Sequence, residues 1–295
     1  MKLAKSFPLF SASVTLGQAR ARVAAVLAAA GKEPAALESR LLLEDATGLT
    51  SLDFVIRADE TLGDPQAARL LISLERRLRD EPISRILGHN DFYGLDLIVT
   101  RDVLDPRADT EMLVDRALAF LRERRLSRPK ILDLGTGSGA ILCAVLHATP
   151  QAFGLGVDLS PAACEVAAKN LDRCGLASRS SIICGCWADA ISGCFDLIVA
   201  NPPYIARPET AALAPEVVRH DPALALFGGE DGLDCYRLLA RDFGRLLAKG
   251  GAIFLEIGAR QAASVVEILS SEGFRDAAVF KDHGGRDRVV TVRNI

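Results

Sequence analysis

Near the start of the chain, apolar residues recur at helical spacing. Leu16, Ala19, Val23, Val26, Leu27 and Ala30 form a stripe of period 3.6. Thr15 and Gln18 precede it at capping-box spacing, and Gly31 follows as a stop. A second helix is expected from about Pro34 to Thr47, halted by Gly48. A third is expected behind Asp64 as N-cap and Pro65 as first residue, with Leu70, Leu71, Leu74 and Leu78 inward and an end before Pro82. Short helices on short loops predict an all-α bundle over residues 1–82.

The period then changes. Over residues 83–108, "DFYGLDLIV" alternates apolar and polar positions after a turn at Gly94, which predicts a β-hairpin linker. A helix is expected from about Asp109, with Met112, Leu113, Ala117, Leu118 and Leu121 inward. Strand candidates follow at 130–134, 153–158, 181–184, 195–200, 252–257, 277–281 and 288–292, most of them separated by helical stretches. That rhythm predicts a parallel, doubly wound α/β sheet over residues 109–295, with the last two strands near enough to form a hairpin at its end.

Composition adds boundaries rather than detail. The 295 residues are 49% hydrophobic and 25% charged, with a net charge of -3, so phosphate-driven binding of nucleic acid is not expected. Two arginine clusters, Arg76, Arg77 and Arg79, then Arg122, Arg124, Arg125 and Arg128, read as solvated helix ends. The seven cysteines hold no C-x-x-C; with Cys184 and Cys186 one glycine apart, they read as buried or half-buried thiols of a reducing compartment. The four histidines share no zinc-ligand spacing, and no metal is expected. Pro8 interrupts the first apolar run, which argues against a signal peptide, and no stretch is long enough to span a membrane. The expected location is the cytoplasm.

Two stretches carry chemistry. In "ILDLGTGSGAI", Gly135, Thr136, Gly137, Ser138 and Gly139 leave a strand and open a helix. The glycines allow a tight turn and close approach of a ligand, and the helix start presents free N–H groups. Asp158 ends the next strand, where a carboxylate can accept from both hydroxyls of a ribose. Trp187, the only tryptophan, follows the third strand and is a candidate to stack on adenine or to fill the core. These features point to a nucleoside cofactor. Gly135-x-Gly137-x-x-Ala140 fits the dinucleotide fingerprint too, so the loop alone leaves NAD and S-adenosylmethionine both open.

The second stretch is "FDLIVANPPYIA". The strand 195–200 delivers Asn201 to the carboxyl edge of the sheet, where ligands of open α/β sheets bind. Pro202 and Pro203 remove two N–H donors and keep their carbonyls, and Pro202 holds Asn201 extended. The corner is therefore rich in acceptors. The Asn201 side-chain oxygen and the Pro202 carbonyl can face one NH2 group, and Tyr204 offers a flat face to a planar amide or base. An amide nitrogen is a weak nucleophile, and two acceptors on its N–H bonds would orient it toward a sulfonium methyl.

With these motifs in place, the sequence resembles the release-factor glutamine N5-methyltransferases, the PrmC or HemK family. The likeness runs through "PISRILGHNDFYGLDLIV", "ILDLGTGSGAI", "GVDLSPAACEVAAKNL", "FDLIVANPPYI", "ALFGGEDGLDCYR" and "GGRDRVV". It implies a Rossmann-like class I methyltransferase sheet with an N-terminal helical bundle that helps dock the substrate. It also implies transfer of methyl from S-adenosylmethionine, leaving S-adenosylhomocysteine, to the glutamine amide of the Gly-Gly-Gln motif of peptide chain release factors. Gly135 to Gly139 would line the cofactor, Asp158 would hold its ribose, and Trp187 would lie by the adenine. Asn201, Pro202, Pro203 and Tyr204 would hold the glutamine amide, with Asn201 between cofactor and substrate. The chain departs from the usual motifs at Ala108, Asp109, Asp91 and Cys186. Rival readings are glutamine methylation of a ribosomal protein, adenine-N6 methylation of nucleic acid, in which the base must leave its stack, and a cofactor-binding protein without catalysis.

Overall fold

The computed structural model describes residues 14–294, so the reading of the first residues falls outside the described part. The chain divides into two compact units, Met1–Leu87 and Gly88–Ile295.

In the first unit, α1 (Leu16–Ala29) has the expected capping box, with Thr15 and Gln18 exchanging two 3.3 Å hydrogen bonds. Helix α2 (Ala35–Thr47) stops where Gly48 takes φ 72°. Helix α3 (Ser51–Ile56) was not expected; six residues are too few to display a period, but Thr50 and Asp53 form a capping box of their own. Helix α4 (Asp64–Leu78) begins one residue earlier than expected. Gly63 is the N-cap, and Asp64 lies in the first turn, where its charge favours the helix dipole. Residues Ile83–Leu87 form a short helix, α5, where extended chain was expected.

The core of this unit includes Leu16, Val23, Leu27, Leu42, Leu43, Leu70 and Leu74. Burying each such side chain favours folding by about 1.5–3 kcal/mol. Leu71 is only half-buried, and Arg77 lies on the inner face. Two 2.8 Å bonds join the Arg77 guanidinium to Glu38, itself buried. Arg76 pairs with Glu81 at 2.6 Å. The reading of Arg77 as solvated is thus corrected, since it is buried against Glu38, while Arg76 keeps its side chain partly exposed beside Glu81.

The second unit opens with a hairpin, β1 (His89–Phe92) and β2 (Leu95–Ile98), antiparallel around Tyr93 and Gly94. Both turn residues have positive φ, 54° and 74°, as a two-residue hairpin turn requires. After α6 (Ala108–Arg124) comes a seven-stranded sheet. Its strands are β3 (Lys130–Leu134), β4 (Phe153–Asp158), β5 (Ser180–Cys184), β6 (Phe195–Ala200), β7 (Leu247–Glu256), β8 (Ala278–Lys281) and β9 (Asp287–Arg293). Their order is β5-β4-β3-β6-β7-β9-β8. The first five are parallel; β9 is antiparallel to both β7 and β8, the expected hairpin at the sheet end.

Alternation along β3 builds the two layers. Ile131 faces one core with α6 and α7 (Ala140–Ala148); beyond α8 (Pro161–Arg173), α9 (Pro215–His220) and α10 (Ala223–Leu226) come α11 (Asp234–Leu246) and α12 (Ala262–Ser271), which share the other core with Leu132 and Leu134. The chain runs outward from β3 to β4 and β5, then returns to β6 on the other side of β3. This reversal opens a crevice at the carboxyl ends of β3 and β6. No helix among the described residues is long and apolar enough to cross a membrane. The cysteines are all free, but Cys184, Cys186 and Cys194 are exposed, which corrects their reading as buried.

Candidate active site

A cleft of about 440 Å³ lies at that crevice, wholly within the second unit. Gly135 to Ser138, Asp158 and Trp187 line one part of it, and Asn201 and Pro203 another. The two motifs therefore meet in one cavity. Gly139, Pro202 and Tyr204 are not among its lining residues.

The first part is built from main chain. Gly135, Gly137 and Gly139 take φ 76°, 55° and 78°. A Cβ on Gly135 would come within 3.1 Å of the Trp187 ring, and one on Gly139 within 3.2 Å of Ala167. Gly139 is the N-cap of α7 and supplies no side-chain cap, so the helix start keeps free N–H groups. Asp158 accepts from Gly137 N at 2.8 Å and from Ser160 N at 2.9 Å. Each carboxylate oxygen keeps a further lone pair for a ligand hydroxyl. Ser160 also caps α8 (Pro161–Arg173), as expected from sequence. Beneath the loop, Asp133 is fully buried and accepts from the Thr136 hydroxyl at 2.7 Å. Burial pushes its carboxyl up to about 7, and the Asp158 charge adds to the rise.

The second part is built from side chains and locked carbonyls. Asn201 Nδ2 donates to Thr110 Oγ1 at 3.3 Å. Gln261 Nε2 donates to the Tyr204 carbonyl at 2.9 Å and to Gly232 O at 3.1 Å. A Cβ on Gly228 would lie 2.5 Å from the Pro203 carbonyl, and one on Gly232 2.3 Å from the Tyr204 carbonyl. The "GGEDG" segment thus contains glycine because its backbone is pressed against the corner. Tyr204 sits beside the cleft; burial pushes its phenol up to about 12, with the Glu256 charge adding to the rise. Arg107 pairs with the buried Asp221 at 2.7 Å, in the segment that returns over the cleft.

Sequence reasoning missed Thr110, Gln261 and Glu256. The signal for Glu256 was a single carboxylate inside "AIFLEIG", since a charge in an apolar strand calls for a reason.

Comparison with known proteins follows the same division. Residues 18–88 match the PrmC N-terminal domain, and residues 109–230 the methyltransferase small domain. A release factor glutamine methyltransferase of Agrobacterium fabrum is 48% identical over 269 residues, which cover 90% of this chain and 93% of that one. One of Rhodospirillum rubrum is 44% identical, covering 95% and 86%. Among solved structures, the hMettl16 catalytic domain in complex with a 3'UTR hairpin aligns with a TM-score of 0.56 at 16% identity, covering 92% of this chain and 91% of that one. That likeness is one of fold.

Proposed function

This chain belongs to the release factor glutamine methyltransferase family, and from that premise we propose that it methylates the side-chain amide nitrogen of the Gly-Gly-Gln glutamine in peptide chain release factors. One observation carries the reading: the glycine loop and Asn201 line the same cleft, so a methyl donor and an amide can meet there.

The residues present fit S-adenosylmethionine. The bare main chain of Gly135 to Gly139 and the start of α7 suit its polar amino-acid end, and Asp158 suits a ribose. Trp187 has its ring against Gly135, where it can form one wall for an adenine. When bound, the donor supplies a methyl on a positively charged sulfur. Asn201 Oδ1 and the Pro202 carbonyl accept the two N–H bonds of the glutamine amide and aim its lone pair across the cleft. Pro202 and Pro203 keep competing donors away from that nitrogen. The helical unit docks the release factor; support comes from exposed Leu52, Val55 and Ile56 on α3, at 67%, 72% and 72%.

The test is mass spectrometry of a purified release factor after incubation with this protein and S-adenosylmethionine. One added methyl on the Gly-Gly-Gln glutamine, absent when that glutamine is replaced by asparagine, is the expected result. A methyl found instead on a ribosomal-protein glutamine would keep the amide clamp and overturn the substrate.

A further inference from the structure

Glu256 ends β7, which pairs with β6, and the register sets Ala200 beside Leu255. Asn201 therefore leaves the sheet alongside Glu256. The Glu256 side chain is buried at 2% exposure. Thr110 and Asn201 are the uncharged side chains that favour its ionised form, and its Oε2 has no hydrogen-bond partner. The nearby cation, Arg288, is already shared by Asp109 at 3.0 Å and Asp282 at 3.2 Å. A buried carboxyl with no cation of its own opposes folding. Its stability role is therefore poor, and its place behind the substrate corner calls for another.

The three polar groups form a directed chain. Asn201 Nδ2 donates to Thr110 Oγ1, which leaves the single Thr110 hydroxyl hydrogen free to turn toward the Glu256 carboxyl. In this order the Asn201 amide faces Thr110 with its NH2. With its NH2 toward Thr110 and Glu256, its oxygen points away from them. The flipped amide would set its oxygen against the lone pairs of the carboxylate. Donation by an amide N–H also raises the electron density on its carbonyl oxygen, and linked hydrogen bonds reinforce one another. We propose that Glu256, acting through Thr110, is a positioning residue that holds the Asn201 oxygen toward the substrate nitrogen and strengthens it as an acceptor; this rests on the amide clamp proposed above.

The ionised carboxylate is the form that accepts, and burial pushes Glu256 up to about 7. The charged and titratable groups facing it are Asp109 from α6, Tyr204 from the corner, Tyr236 from α11 and Arg288 from β9. Arg107 acts on Tyr204 from the start of α6. At saturating release factor and S-adenosylmethionine, kcat should rise as pH passes through about 7.

The experiment uses the full chain with a purified release factor and compares Glu256→Gln, Thr110→Val and Thr110→Ser. The first two are expected to lower kcat by about tenfold to a hundredfold with the affinity for S-adenosylmethionine retained. Thr110→Ser should restore the rate, and Glu256→Gln should lose the rise near neutrality. Wild-type kcat in both variants, or a fall in cofactor affinity and melting temperature in step with kcat, would overturn the proposal. A second readout needs no substrate: the side-chain NH2 resonance of Asn201 in nitrogen-15-labelled protein, assigned by its loss in Asn201→Ala. It should exchange slowly and shift with pH near neutrality in the wild type, and do neither in Glu256→Gln. An insensitive resonance refutes the relay whatever the substrate. A responsive one, with no methyl appearing on the release factor, refutes the substrate and leaves the relay standing.

Discussion

The two corners of the cleft are built in opposite ways. At the end of β3, the chain offers the N–H groups of the uncapped start of α7, beside three glycines in left-handed backbone whose own N–H groups are already bonded to Val157 O, Asp158 and Thr136 O. At the end of β6, it withholds them, through two prolines, a Tyr204 carbonyl held by Gln261, and Pro203 and Tyr204 carbonyls packed against Gly228 and Gly232. Donor-rich backbone suits the carboxylate end of a methyl donor, and acceptor-rich backbone suits an NH2 group. On the proposed function, one sheet edge thus separates the methyl donor from the amide by hydrogen-bond polarity.

The comparison breaks most sharply at Asn201. Asn201→Ala should lower the single-turnover rate by about a hundredfold or more while cofactor affinity by calorimetry stays close to wild type. Equal losses in both would erase the distinction between corners. Asp158→Ala should do the reverse: its carboxylate is placed for charged hydrogen bonds, and their loss should weaken S-adenosylmethionine binding by about tenfold, with a smaller effect on kcat once the cofactor is saturating. Unchanged affinity would show that Asp158 serves only Gly137 and Ser160.

Each corner also hides a raised carboxyl, Asp133 below one and Glu256 below the other. Their ordinary values are 3.8 and 4.5, and burial lifts both to about 7. In this direction the folded state holds protons that the unfolded state releases. The stabilising contribution is complete below the ordinary values and is lost as pH rises through about 7. Melting midpoints should therefore fall between pH 5 and 7, other groups adding their own slopes, and Glu256→Gln should flatten part of that fall. An identical slope in the variant would show that Glu256 does not titrate there. The smallest effect is expected far from both corners. Replacing Leu52, Val55 and Ile56 by serine should raise KM for a release factor by about threefold to tenfold, leaving kcat and thermal stability close to wild type.

The glycine loop was legible in the sequence because its backbone conformations admit few residue types, and those residues are contiguous. The same holds for Asn201, Pro202 and Pro203. Glu256 and Thr110 were not legible as a pair, since each is unremarkable alone and only the meeting of β7 with the start of α6 joins them. Helix α3 escaped because one and a half turns carry too little periodicity. Arg77 was misread because a helix-end arginine looks the same whether water or Glu38 receives it.

A single amide also determines how the wall of the cleft is hung. Asn170, fully buried in α8, accepts from Ile98 N at 2.7 Å and donates to Ile98 O at 3.0 Å and Ser138 O at 2.9 Å. It ties the last residue of the hairpin to the glycine loop. The cleft residues Arg101 to Leu104 follow that tie by a few positions. The hairpin, which reads along the sequence as a mere connector, is in mechanical terms a doorpost, fastened by Asn170 to the loop that walls the cleft.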